Sequence, residues 1–158
     1  MVDIVISRTL HLVFAAIWAG SVFYVALVVL PLARDGAFNT TKPLEVLSKK
    51  LTTISRISAV LLLLSGGHLA GTGYTFDGTG QGLFTTTNGQ LVIFMVVLWL
   101  ALAGLVEVGA KRFESGLNGK KIREPANNVL PLFRAAAAVA VLLMITAGLI
   151  SANVGRLF

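Results

Sequence analysis

The chain has 158 residues, of which 56% are hydrophobic and only 13% are charged, with a mean hydropathy of +0.85 and a net charge of +6. A soluble domain carries about a quarter charged residues, so the composition excludes that class and predicts a membrane protein with a single domain, residues 1–158. There is no cysteine, which excludes disulfides, thiolate metal ligands and cysteine nucleophiles.

Four apolar segments are each long enough to cross a hydrocarbon core about 30 Å thick. The first is too long, and too poor in basic residues at its start, for a cleaved signal peptide. We therefore predict an all-α fold, a polytopic membrane protein built as an antiparallel four-transmembrane-helix bundle. The predicted spans are residues 4–32, 52–70, 90–109 and 129–152.

Turn and cap residues mark the ends of several segments. Thr41 and Pro43 predict a helix start, with a capping hydroxyl followed by proline in the first turn. Pro131 is expected in the first turn of the fourth span. The second span is expected to end near Ala70, before a glycine-rich loop. Within that loop, "GTGQG" lacks the spacing of a phosphate-binding motif. Apolar residues at helical spacing lead into the second span: Leu44, Leu47, Leu51 and Ile54.

The basic residues predict the orientation. They cluster in the first and third loops and are absent from the second, so the positive-inside rule makes the two basic loops cytoplasmic and puts both termini outside. The expected location is the plasma membrane, with the lipid bilayer as partner and no nucleic acid. A second copy of the chain or another membrane protein is an open alternative as a further partner. Glu107 and Arg134 are expected to form a structural pair. The basic residues are Arg34, Lys42, Lys49, Lys50 and Arg56 in the first group, and Lys111, Arg112, Lys120, Lys121, Arg123 and Arg134 in the second.

The two histidines and two methionines fall in one layer. Antiparallel spans place His11, His68, Met95 and Met144 in the outer leaflet, with the histidines roughly 10 Å and 5 Å deep at about 1.5 Å per residue. Imidazole and thioether ligate copper, especially Cu(I), and also serve as axial ligands of haem iron. Zinc is disfavoured because the layer offers neither cysteine nor carboxylate. Alternatively, the histidines are structural hydrogen-bond donors and the methionines fill gaps in the core.

The neighbours of His11 and His68 have two interpretations each. Arg8 lies one turn from His11 and pairs with a haem propionate or extends to lipid phosphate. Gly66 and Gly67 form a close helix contact or leave clearance for a cofactor. Trp18 lies too deep for an interfacial anchor and is a candidate cofactor-binding residue, as are Arg8, Gly66 and Gly67.

The first span contains "HLVFAAIWAGSVFY", and the second ends in "SGGH". In these residues the chain resembles the CopD-like (copper-resistance D) membrane proteins and, more distantly, the HemJ-type protoporphyrinogen oxidases. The first resemblance implies copper handling with His11 as the matching position. The second implies a b-type haem with His11 as axial ligand. The lysine that those oxidases share in the third span is absent from residues 90–108.

Three functions remain open at this stage. The chain binds or handles copper, binds haem b between His11 and His68, or serves as a non-catalytic accessory subunit. Catalysis is not favoured, because no carboxylate lies within a span except near an end and no Ser-His-Asp set can be assembled.

Overall fold

The chain folds as α-helices. The computed structural model describes residues 2–74 and 82–152, and within these ranges it contains no β-strand element. Most of the "GTGQG" segment, residues 78–81, lies outside them. The elements in chain order are α1 (Val2–Tyr24), a π-helical turn (Val25–Val29), α2 (Leu30–Asp35), α3 (Lys42–Gly73), α4 (Thr87–Asn118) and α5 (Arg123–Ser151).

Four helices are long and apolar enough to cross a membrane, by length and composition. The first, Val2–Asp35, is continuous through α1, the π-helical turn and α2, and the others are α3, α4 and α5. The π-helical turn lies just before Pro31, which has no N–H to offer the helix, and the amide of Leu30 bonds the carbonyl of Val25. The chain thus carries the helices of a multi-pass membrane protein.

The helices extend beyond the predicted spans on the basic side. α3 begins at Lys42 rather than at residue 52, and α4 continues to Asn118 rather than ending at residue 109. α5 begins at Arg123, so the prediction that Pro131 lies in the first turn is wrong. The predicted spans were bounded by hydropathy, which marks only the part of a helix that lies in hydrocarbon. The helix itself continues into water until a residue breaks its backbone hydrogen bonds.

The start of α3 confirms part of its predicted signal. Thr41 is the N-cap and Pro43 lies in the first turn, but the Thr41 hydroxyl makes no capping bond. Its backbone is helical, with φ −76° and ψ −25°, instead of the extended conformation from which a capping side chain reaches the first amides. Two of the leucines that predicted an amphipathic start, Leu44 and Leu51, are buried.

The long helices pack against one another through specific residue pairs. α3 packs on α1 and α4, and α5 packs on α4, α2 and α1. Along α1 and α3, His11 lies opposite Ser65 and Trp18 lies opposite Ser55, so the numbers run in opposite directions. α4 meets α5 through Gly109, where a Cβ would lie 2.8 Å from the Phe133 ring.

The buried core lies towards the basic loops. We call this the basic end, and the other the histidine end, made of helix segments 2–17, 66–73, 90–97 and 141–151. Within these four segments only Thr146 is buried. The apolar side chains of these segments are at most partly buried, and some of them, such as Phe14 and Leu143, pack against the edge of the core.

Replacing Gly109 by alanine is expected to destabilise the protein, because the added methyl group would overlap the buried Phe133 ring. The matched control is Gly104→Ala in the same helix, where a Cβ meets nothing within 4 Å and alanine favours the helix by about 1 kcal/mol. Thermal unfolding in detergent measures both. A melting temperature of Gly109→Ala equal to or above that of Gly104→Ala would contradict the close packing of α4 on α5.

Candidate functional site

His11 is the centre of the candidate site, and its hydrogen bonds define its tautomer. Its Nδ1 lies 3.0 Å from Ser65 Oγ on α3. Ser65 Oγ in turn lies 2.6 Å from the carbonyl oxygen of Leu61, which can only accept. Since the single hydroxyl proton goes to Leu61, His11 Nδ1–H donates to Ser65. The other ring nitrogen, Nε2, then carries a lone pair.

Gly66 lies in close contact with the His11 ring. A Cβ built on Gly66 would lie 2.9 Å from His11 Cε1 and 3.4 Å from Nδ1, so the imidazole occupies the space that a side chain would need. A Cβ on Gly67 would meet nothing within 4 Å. The two glycines therefore differ: Gly66 permits a close contact between α1 and α3, and Gly67 faces open space.

His68 lies in different surroundings from His11. Its Nε2 is 3.8 Å from Asp3 Oδ2 near the start of α1, and its side chain is 42% exposed. The prediction that this layer holds no carboxylate is therefore wrong, because Asp3 comes near the layer on the first turn of α1. Within residues 2–74 and 82–152, however, no three His, Asp or Glu side chains group together in a way that could hold a metal ion.

The partners of the two histidines lie at different levels of α1. Asp3 and His11 are eight residues apart, which is about 12 Å along a helix axis. His11 contacts Ser65 and Gly66, whereas His68 reaches the end of the helix. The structure places both histidines at the histidine end but gives each its own contact.

The two methionines also lie at the histidine end, on α4 and α5. Met95 is partly buried, while Met144 is 49% exposed on the surface of α5. The four predicted ligands differ in exposure, and among the described residues no hydrogen bond or ion pair joins one of them to another.

Arg8 lies on the surface, whereas Trp18 lies in the core. Arg8 is exposed one turn before His11. Trp18 is 2% exposed and its Nε1 donates to Ser55 Oγ at 2.8 Å, so the indole N–H is already satisfied within the protein. Trp18 thus links α1 to α3 by a hydrogen bond about two turns along α1 from His11.

Sequence reasoning missed the serines of α3. Ser55 and Ser65 are the partners of Trp18 and His11, and both are buried, as are Ser48 and Ser58. The sequence does contain a pattern that could have indicated them. Residues 48 and 55, like 58 and 65, are seven positions apart, which is the spacing of one face of a packed helix.

The predicted pair of Glu107 with Arg134 is replaced by a different one. Glu107 Oε1 lies 2.6 Å from Arg56 Nη2 on α3 and 3.4 Å from Lys111 Nζ on its own helix, while Arg134 is exposed on α5. The correction follows from helix rotation, since α3 and α5 both flank α4 and only the packed structure decides which of them Glu107 faces.

Comparisons with protein-family models, with curated proteins and with solved structures find no match to this chain. The described residues alone define the class: an all-helical protein with four helices capable of spanning a membrane.

Proposed function

We propose that this chain is a multi-pass plasma-membrane protein that binds copper at its histidine end. The four helices form an antiparallel bundle with both termini outside, as the basic residues at the opposite end favour. The antiparallel contacts of α1 with α3 and of α4 with α5 support this arrangement. The resemblance to CopD-like proteins in the first span supports the choice of copper.

The observation that carries the proposal is the hydrogen-bonded chain from His11 Nδ1 through Ser65 Oγ to the Leu61 carbonyl. Metal-bound histidines donate their second ring N–H to a fixed acceptor, which orients the ring and leaves the other nitrogen for the metal. Ser65 is such an acceptor, held by Leu61, and Gly66 supports the ring. His11 Nε2 is therefore the anchoring ligand.

Further ligands come from the same end of the protein. Imidazole and thioether suit Cu(I), and His68, Met95 and Met144 supply these groups from α3, α4 and α5. Copper bound there would join helices whose side chains at this end are at most partly buried, apart from Thr146.

A competition titration with a chromophoric Cu(I) chelator tests the proposal on purified protein. His11→Ala is expected to lower copper affinity by more than about a hundredfold, and Ser65→Ala by about 10–100-fold, the usual range for losing an orienting partner. The control is Ser58→Ala, which removes a buried hydroxyl that has no hydrogen-bond partner among the described residues. It should bind like the wild type.

Equal copper affinity of wild type and His11→Ala would overturn the proposal. Equal losses in Ser65→Ala and Ser58→Ala would overturn the orienting role of Ser65 and leave only a general effect on α3. His68→Ala, Met95→Ala and Met144→Ala, measured in the same way, identify which of the three completes the site.

A b-type haem is the second candidate, and the low burial of the histidine end favours it. A flat macrocycle would cover apolar side chains, and only Thr146 is fully buried in these segments. Iron would take His11 as one axial ligand, with exposed Arg8 near the propionates. His68 would have to turn from Asp3 towards His11 to become the second. The absorption spectrum of the dithionite-reduced protein from haem-replete cells decides between the two: a Soret band that His11→Ala abolishes supports haem, and its absence excludes it.

A further inference from the structure

The opposite end of the molecule contains a cavity of about 490 Å³ that the copper proposal does not use. It opens between the turn after α2 and the segment that begins α5. Its polar lining comes mainly from Asn39, Lys120 and Arg123, and its apolar lining from Phe38 and Ile122. A second cavity of about 320 Å³, which Arg112 and Asn128 help to line, lies beside it and shares Lys121 and Glu124 with it.

The charges in the first cavity do not cancel. Lys121 Nζ lies 2.8 Å from Glu124 Oε2, so these two form an ion pair. Lys120 and Arg123 remain, and together they give the lining a net positive charge. Arg112 adds a further cation in the neighbouring cavity. The site therefore suits an anion.

Backbone geometry positions Lys120 and Arg123, which have no ion-pair partner among the described residues. Arg123 packs on Gly36, where φ is +88° and any Cβ would overlap the guanidinium. Lys120 has φ +56°, a left-handed conformation that non-glycine residues seldom adopt. Ile122, the N-cap of α5, offers no side-chain cap, so the first amides of α5 point towards the same region without a side-chain acceptor.

We propose that this cavity binds the phosphate headgroup of an anionic phospholipid in the leaflet next to the basic loops. It lies at the basic end of the four membrane-capable helices, the end that the positive-inside rule turns towards anionic headgroups. Phe38 and Ile122 give it an apolar wall, which suits the glycerol and acyl chain of a lipid better than a free ion. Arg123 and Lys120 bind the phosphate oxygens. This site is independent of the copper proposal.

The test measures thermal unfolding of the full-length protein in a neutral detergent. Phosphatidylglycerol in mixed micelles is expected to raise the melting temperature of the wild type by several degrees, because a ligand that binds only the folded state stabilises it. Phosphatidylcholine and inorganic phosphate should not. Lys120→Gln/Arg123→Gln should lose more than half of the shift. The matched control, Lys49→Gln/Lys50→Gln, removes the same charge from exposed positions on α3 outside the cavity and should keep it.

Lys120→Gly keeps the test decisive should the double variant fold poorly. Glycine adopts positive φ without strain, so this variant loses the cation and is expected to fold at least as well as the wild type. A reduced lipid shift in Lys120→Gly supports the site. An unchanged shift in both variants, an equal loss in the control, or an equal shift with inorganic phosphate alone would overturn the proposal.

Discussion

Replacement of Trp18 by alanine is expected to lower the free energy of unfolding by about 3–5 kcal/mol, the largest effect of any single change considered. The side chain is 2% exposed and lies between α1 and α3. Its loss leaves a cavity in the core and removes the hydrogen-bond donor of Ser55. Helix association in lipid depends on such packing, because lipid supplies no hydrophobic drive between helices. Equilibrium unfolding in detergent, followed by circular dichroism, measures the loss.

A pair of phenylalanine variants separates the hydrogen bond from the volume of the ring. Trp18→Phe breaks a buried bond of 2.8 Å and should cost about 1–3 kcal/mol, since Ser55 loses its partner. Trp99→Phe removes an indole N–H that is buried without a partner among the described residues, so it should cost less. Equal losses in the two variants would mean that the Trp18–Ser55 bond adds nothing beyond ring volume.

Gly66→Ala is expected to displace the His11 ring and lower copper affinity to about the level of Ser65→Ala, a 10–100-fold loss. The new methyl group would lie 2.9 Å from His11 Cε1, so the imidazole must move away from Ser65. The control is Gly67→Ala, which adds the same atom next door in open space and should bind copper normally.

Nitrogen-15 NMR of the histidine rings gives this variant a readout that does not depend on copper. In the wild type, the shift of His11 should be that of a ring protonated at Nδ1, and Gly66→Ala should shift it towards an equilibrium of tautomers. Unchanged histidine spectra in Gly66→Ala would contradict the contact between His11 and Gly66. Changed spectra with unchanged copper affinity would contradict only the role of ring placement in binding.

The structure supports a division of the molecule that hydropathy does not reveal. The basic end holds the buried core, with residues such as Leu102, Val106 and Phe133, and the histidine end holds the candidate ligands without a core around them. Such a division separates stability from binding, since the packed end holds the helices together and leaves the histidine end free to contact a ligand.

The sequence by itself determined the class and the four membrane-capable helices, and it predicted one layer for the candidate ligands. These follow from apolar length and from depth along a helix, which need only residue counting at about 1.5 Å per residue. The helix start near Thr41 and Pro43 was also readable from local chemistry. The missing Thr41 cap was not, because it depends on the backbone angles of one residue.

Only the tertiary structure decided which side chains meet. The position of a residue along the helix axis does not say in which direction around the axis its side chain points. Successive side chains are rotated by about 100°, so two adjacent residues face different neighbours. This is why Glu107 pairs with Arg56 rather than Arg134, and why Gly66 touches His11 while Gly67 faces open space. It is also why Ser65, an ordinary residue in the printed sequence, is the partner that orients His11.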